Sequence, residues 1–185
     1  QFNIILGSQS PRRKELLAGL DIPFTTKVIP GLEETYPASL QGEEIPVYLA
    51  EQKADAYTLA DNELLITADT IVWLDGKVYG KPTDEAEAHQ MLRALSGKTH
   101  DVITGVCVRT NQKNVSFAST TKVTFAHLTD DEIAHYINKY CPMDKAGSYG
   151  VQEWIGYIGV EHIEGSYFNV MGLPIQKLYT VLKEF

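Results

Sequence analysis

The sequence predicts an α/β fold: an elongated mixed β-sheet with flanking helices, forming two lobes around a central cleft. Three observations predict it. Helical and strand patterns alternate along most of the chain, as they do in layered α/β domains. The run Leu64–Leu74 is almost continuously apolar, the pattern of a strand covered on both faces. Two long strand-like stretches, Asp101–Arg109 and Val115–His127, are joined by Asn111-Gln112-Lys113-Asn114 and so read as an antiparallel pair. No G-x-G-x-x-G follows a strand, which excludes a doubly wound dinucleotide fold. At 185 residues and 44% hydrophobic content, residues 1–185 suffice for one domain with its own core and two lobes.

Taken in order, Ile4–Leu6 reads as a short buried strand and Gly7–Ser10 as a tight loop. A helix follows from Pro11 to Gly19, with Ser10 as N-cap, Pro11 in the first position, and Leu16, Leu17 and Leu20 inward. Phe24–Ile29 alternates like a strand, stopped by Pro30-Gly31, and Pro37–Gly42 is a polar loop. Pro46 opens a helix to Asp61 with an inward stripe of Leu49, Ala50, Ala56, Tyr57 and Ala60. Leu64–Leu74 is the central strand, Asp75-Gly76 a hairpin turn and Lys77–Tyr79 the return strand. Thr83-Asp84-Glu85 starts a helix carrying Ala86, Met91, Leu92 and Leu95 and ending at Gly97. Thr129-Asp130-Asp131-Glu132 is a capping box for a helix to Tyr140, with Ile133 and Ile137 inward. Asp144–Gly159 fits no period and reads as a loop near a site; Tyr157–Glu164 reads as a strand. Pro174–Phe185 is an amphipathic helix with Leu178, Val181, Leu182 and Phe185 apolar.

Composition removes several functions. A net charge of −8 argues against nucleic-acid and anionic-membrane partners, and no apolar run has membrane-spanning length. Cys107 and Cys141 have no metal spacing; they fit small buried residues of a reducing cytoplasm, with a single disulfide as the alternative. Nothing at Gln1-Phe2-Asn3 resembles a leader, so a cytoplasmic location is expected. The five His residues form no metal motif and read as surface or packing groups; there is no G-x-S-x-G and no Walker-A sequence.

The chemistry concentrates elsewhere. Arg12, Arg13 and Lys14 put three cations at the positive end of a helix dipole, where carboxylates belong. A bound phosphate reverses that penalty, held by Ser8, Ser10, backbone N–H groups and two guanidinium forks; the plain alternative is a solvated basic turn. Lys53 lies on an apolar helix stripe, where it either snorkels to solvent or points a cation into a cleft. Asp69 interrupts the central strand, and a carboxylate there needs cations or metal around it, or else a bulge or strand end that lets it reach water. Lys81 stands just ahead of a helix N-terminus, a solvated lysine on its own and a ligand beside a polyphosphate. Hard oxygen ligands with basic residues suit Mg²⁺ or Mn²⁺ and a phosphate substrate.

These residues carry a resemblance. Ser8-Gln9-Ser10-Pro11-Arg12-Arg13, Glu34, Lys53, Ala68-Asp69-Thr70, Gly80-Lys81-Pro82, Asp144 to Gln152, and Gly165-Ser166-Tyr167 through Gly172-Leu173-Pro174 resemble the Maf family of nucleoside-triphosphate pyrophosphatases. The likeness runs over essentially the whole chain with its motifs in order. It implies a fold akin to the inosine-triphosphatase group and hydrolysis of a nucleoside triphosphate to monophosphate and pyrophosphate. It also implies a divalent metal (Mg²⁺ or Mn²⁺), a cytoplasmic homodimer, and no nucleic-acid or membrane partner. By correspondence, Ser8, Arg12, Arg13 and Gln152 bind substrate together with Ser10, and Asp69, Lys53, Lys81, Arg12 and Arg13 form the catalytic set. Glu34 and Asp69 hold the metal, with Glu33 adjacent to the first and base catalysis competing for the second. The Ser-Tyr-Gly-Val-Gln stretch resembles the branch acting on dTTP and UTP. Gln52 departs from the acidic residue often found before the lysine, and Glu153-Trp154 from the small residues common after the glutamine. The rival readings are a nucleotide-binding regulator of cell division without turnover, and a phosphatase or nucleotidyltransferase built from the same cations.

Overall fold

The computed structural model describes residues 1–185. Its elements are β1 (Asn3–Leu6), α1 (Pro11–Ala18), β2 (Phe24–Thr26), α2 (Glu44–Asp55), β3 (Glu63–Leu74), β4 (Lys77–Tyr79) and α3 (Glu85–Leu95). They continue with β5 (Thr99–Arg109), β6 (Asn114–Phe125), α4 (Asp130–Tyr140), a 3₁₀ turn at Ala146–Ser148, α5 (Trp154–Gly159), β7 (Val160–Glu164), α6 (Tyr167–Met171) and α7 (Ile175–Leu182). The seven strands form a mixed sheet in the order β2-β1-β3-β5-β6-β7, with β4 on β3. β1 runs parallel to β2 and β3, whereas β4 on β3 and β7 on β6 are antiparallel. This is the mixed sheet with flanking helices that the alternating pattern predicts.

Contacts divide the chain into two units. The first holds residues 1–70, 104–119 and 172–185; the second holds 71–103 and 120–171. In the first, Ile5, Ala50, Ala54, Leu65 and Cys107 form a buried cluster. α2 lies so close on β5 that a Cβ at Gly105 would sit 2.3–2.4 Å from backbone atoms of Pro46 and Val47. α7 buries Leu178 and Val181, and Lys177 Nζ donates to Ala118 O at 2.9 Å. The second unit packs α3 and α4 on the sheet around Leu92, Leu95, Phe125, Ile133, Tyr136 and Ile137. His100 is buried there, edge-on to Phe125 and sharing a 2.6 Å hydrogen bond with Tyr149, which makes it a packing histidine.

Several sequence-based boundaries shift. α2 begins at Glu44, since proline is tolerated within a first turn, and ends at Asp55 instead of Asp61. Ala56 and Ala60 are exposed, and Tyr57 leaves the expected stripe to donate its hydroxyl to Lys27 O at 2.6 Å, while Ala54 is buried in their stead. β2 stops at Thr26 because β1 ends at Leu6, whose carbonyl takes a last bond from Lys27 N; nothing remains for Val28 and Ile29 to pair with. On α3 the exposed Ala86 is replaced in the core by Ala88. The stretch predicted as loop to Gly159 contains α5, so Tyr157 is helical and β7 starts only at Val160. Gly156 hides this helix: any Cβ there would lie 1.8 Å from Val151 O, so packing excludes a side chain that would mark the period. Cys107 is buried as expected, but Cys141 is exposed in the left-handed cap of α4, and both thiols are free. No helix is long and apolar enough to cross a membrane.

Gly105→Ala should lower unfolding free energy by about 3 kcal/mol, because backbone cannot yield as a flexible side chain can. Gly80→Ala, with nothing within 4 Å of its would-be Cβ, should stay within about 0.5 kcal/mol of the parent. Urea denaturation of both measures the contrast.

Candidate active site

The site grows from the end of β1. Ile5 and Leu6 are buried, and Gly7 follows where a Cβ would meet Tyr57 Oη at 2.7 Å, so the chain turns there without a side chain. Ser8 Oγ accepts the Ser10 N–H at 3.1 Å, and Ser10 Oγ accepts the Arg13 N–H at 3.3 Å, capping α1 with Pro11 in its first turn. Each hydroxyl still has its proton to donate. α1 has no acidic residue in its first turn, where Arg12 and Arg13 stand instead.

Arg13 does not lie on a solvated turn. Its Nε donates to Gly172 O at 2.8 Å and its Nη2 to Thr70 Oγ1 at 3.0 Å. Thr70 Oγ1 in turn shares a 2.8 Å bond with Thr104 Oγ1. Burial lowers the Arg13 pKa from its usual value, opposed chiefly by the charge of Asp69. Much of the guanidinium is therefore committed to the protein, which narrows the phosphate role expected of the Arg pair.

Asp69 sits within β3 and is only 8% exposed, so the strand-end or bulge alternative is ruled out. Lys53, from α2, points inward and does not snorkel: Nζ donates to Asp69 Oδ1 at 3.1 Å and to Ala68 O at 3.0 Å, and pairs with Glu34 Oε1 at 3.2 Å. Burial raises the Asp69 pKa from its usual value; Lys53 and then Arg13 pull it down, and Glu34 adds to the rise. Glu34, not the neighbouring Glu33, is the acid paired with Lys53. Gln52 Nε2 donates to Thr35 O at 3.0 Å, so successive residues of α2 hold successive residues of the loop.

The structure thus brings together Arg13, Glu34, Lys53 and Asp69, with Arg12, Ser8 and Ser10 at the head of α1. Lys81 and Gln152 belong to the second unit. Lys81 is exposed between β4 and the Asp84 cap of α3; Gln152 is half-buried, with its amide oxygen shielded and unpartnered. Thr70 and Gly172 hold Arg13, and Thr104 backs Thr70, although none of the three stands out in the sequence. Thr70 closes the Ala68-Asp69-Thr70 motif and Gly172 opens Gly172-Leu173-Pro174, but their position against Arg13 is a tertiary fact.

No group of three or more His, Cys, Asp or Glu side chains gathers as a metal cage. Glu34 and Asp69 nevertheless converge on one cation, the Lys53 ammonium. Mg²⁺ and Mn²⁺ bound with nucleotides take one or two carboxylates and complete their shell with water and phosphate oxygens, so this acid pair fits such an ion.

A profile of the Maf-like protein family matches residues 3–185. The chain belongs to the Maf-like family. A protein of Phocaeicola vulgatus named dTTP/UTP pyrophosphatase is 63% identical over 186 residues, covering 100% of this chain and 96% of that one. A protein of Porphyromonas gingivalis with the same name is 56% identical over 189 residues, covering 100% and 95%. Among solved structures, a HAM1 protein from Coxiella burnetii aligns over 100% of both chains with a TM-score of 0.55 at 18% identity. The Staphylococcus aureus Ham1 protein gives 0.54 at 18% identity over 98% of each. At that identity the two structures bear on the fold, and they place this Maf-like chain in the Ham1 architecture that the resemblance implies.

The raised Asp69 pKa has a consequence for stability. Unfolded, the carboxyl titrates near 3.8; folded, it titrates higher. Between those values the folded state binds more protons, so this group's contribution to stability falls as pH rises through the window and levels off above it. Asparagine does not titrate. In metal-free buffer, unfolding free energy of Asp69→Asn relative to the parent should therefore increase with pH across the window, as read by urea titrations at a series of pH values; a flat difference would show that burial does not dominate.

Proposed function

We propose that this Maf-like protein is a nucleoside triphosphate pyrophosphatase that hydrolyses dTTP and UTP to the monophosphate and pyrophosphate. One observation carries the chemistry: a buried strand carboxylate, Asp69, held by Lys53 and flanked by Glu34 and Arg13. The base preference is supported by the names of relatives at 50–63% identity.

Water attacks the α-phosphorus. The new bond is from water oxygen to phosphorus, and the bond broken joins the α-phosphorus to the bridging oxygen, which leaves with pyrophosphate. Asp69 presents two oxygens: Oδ1 receives Lys53, and Oδ2 remains to take the proton of the attacking water. Lys53 fixes that carboxylate and sets a positive charge beside the reacting phosphate. The Ser8 and Ser10 hydroxyls donate to phosphate oxygens, and Arg12 with the uncommitted part of the Arg13 fork grips the departing pyrophosphate. Lys81 and Gln152 take their parts by motif correspondence, Lys81 as a phosphate ligand and Gln152 as a substrate contact. Glu34 and Asp69 would hold a divalent cation, which when bound neutralises charge on the phosphates.

A panel of dTTP, UTP, CTP and GTP with product identification should give monophosphate and pyrophosphate, fastest with dTTP and UTP. Asp69→Asn should lower turnover about 10²–10⁴-fold with the fold intact. Release of orthophosphate, or near-normal turnover by that variant, overturns the assignment. Turnover should also vanish on chelation and return with Mg²⁺ or Mn²⁺, and Glu34→Gln should raise the metal concentration needed for half-maximal rate.

A further inference from the structure

Glu153 directly follows Gln152, and the structure gives it a specific set of contacts. Gly150 N–H donates to Tyr136 Oη at 3.0 Å, and Tyr136 donates to Glu153 Oε1 at 2.5 Å. Glu153 Oε2 faces Lys145 Nζ at 3.7 Å, and Lys145 donates to Asp144 Oδ1 at 3.1 Å. The backbone closes the same arc, with Glu153 N donating to Gly150 O at 3.0 Å. Tyr136 is fully buried in α4 and Lys145 nearly so. Burial, then the Glu153 bond, holds the phenol well above its usual range, so it stays a donor. Both side chains pack against Gly150, where a Cβ would lie 2.9 Å from Lys145 Cε and 3.0 Å from Glu153 Oε1 and would press on them.

Both ends of the arc Gly150–Glu153 are therefore tied to Tyr136. Between them lie Val151, buried in the core, and Gln152. The Gln152 amide oxygen is shielded from solvent and has no hydrogen-bond partner, although buried polar atoms are nearly always paired. An unmet acceptor on a short, braced arc is open to a donor from a ligand.

We infer that Glu153 is a positioning residue: through Tyr136 and Lys145 it braces the arc that presents the Gln152 amide to substrate. This rests on Gln152 being a substrate contact. A shorter residue at 153 would leave the Tyr136 hydroxyl without its acceptor and Lys145 with Asp144 alone, loosening the arc while leaving Asp69 and its partners untouched.

A double-mutant cycle on the full chain, with UTP and Mg²⁺, tests it. Gln152→Ala should raise KM about 3–10-fold, the loss of one hydrogen bond, with kcat little changed. Glu153→Ala and Tyr136→Phe should each raise KM similarly, and Glu153→Gln, which keeps an acceptor for Tyr136, should restore most of the loss. In the Gln152→Ala background Glu153→Ala should move KM less than about 2-fold, because the contact it braces is gone. Multiplicative effects, or an unchanged KM in Glu153→Ala, overturn the inference. Should Glu153→Ala misfold, Tyr136→Phe in the two backgrounds carries the same comparison. An unchanged KM in Gln152→Ala overturns the contact and the bracing together, whereas absence of UTP hydrolysis by the unsubstituted protein overturns the functional reading itself.

Discussion

The Lys53–Asp69 pair is the constraint from which the rest of the site follows. A carboxylate inside an apolar strand is tolerable only if a cation meets it. Lys53 does so from α2, and α2 can reach because Gly105 lets its first turn lie directly on β5. The pair fixes more than itself. Lys53 spends its remaining donors on Ala68 O and Glu34, so one ammonium locks the strand backbone, the strand carboxylate and an acid from an exposed loop. Even so, two cations do not offset the burial of Asp69. Such an uncompensated group favours proton uptake in the folded protein, the tuning that active-site carboxylates show.

Arg13 is the second tie. The sequence treats Arg12 and Arg13 alike, as cations at the wrong end of a helix dipole. The structure gives Arg13 a tie of its own, since its half-buried guanidinium donates to Gly172 O and Thr70 Oγ1. Thr70 follows Asp69 in β3, and consecutive strand residues point to opposite faces. β3 thus meets Lys53 through Asp69 and Arg13 through Thr70. The charge of Arg13 still reaches Asp69 and opposes its burial, so a residue that joins β1's following helix to β3 also contributes to the electrostatics of the acid.

What was legible in the sequence was whatever local rules govern. Ser10-Pro11 caps α1, Thr129 and Glu132 form the capping box, and the β3–β4 hairpin turns at Asp75-Gly76, each as its short-range chemistry dictates. Asp69 was legible because an acid in an apolar strand is costly, and Lys53 because a cation on an apolar stripe is. The direction of Lys53 was not, as spacing on a helix face cannot say which neighbour the chain meets. Thr70, Thr104 and Gly172 were silent for the same reason: a hydroxyl in a strand and a carbonyl in a turn look ordinary until Arg13 arrives from far along the chain. α5 was missed because Gly156 and Gly159 blank the periodicity that marks a helix, and Gly156 is there because Val151 O leaves no room for a side chain.

The two units carry their polar groups in different ways. In the first, charges are concentrated on a few atoms, and Asp69 keeps a raised pKa despite its partners. In the second, the chain Gly150–Tyr136–Glu153–Lys145 satisfies one group after another beside Gln152, whose amide oxygen is unmet. Electrostatic strain suits a group that must accept a proton, because the strain is relieved when it does so. A satisfied network with one open acceptor suits a group that must stay in place, because every competing orientation would break a bond already made. Chemistry and recognition thus call for opposite treatments of buried polarity, and the residues proposed for each role stand in surroundings of the matching kind.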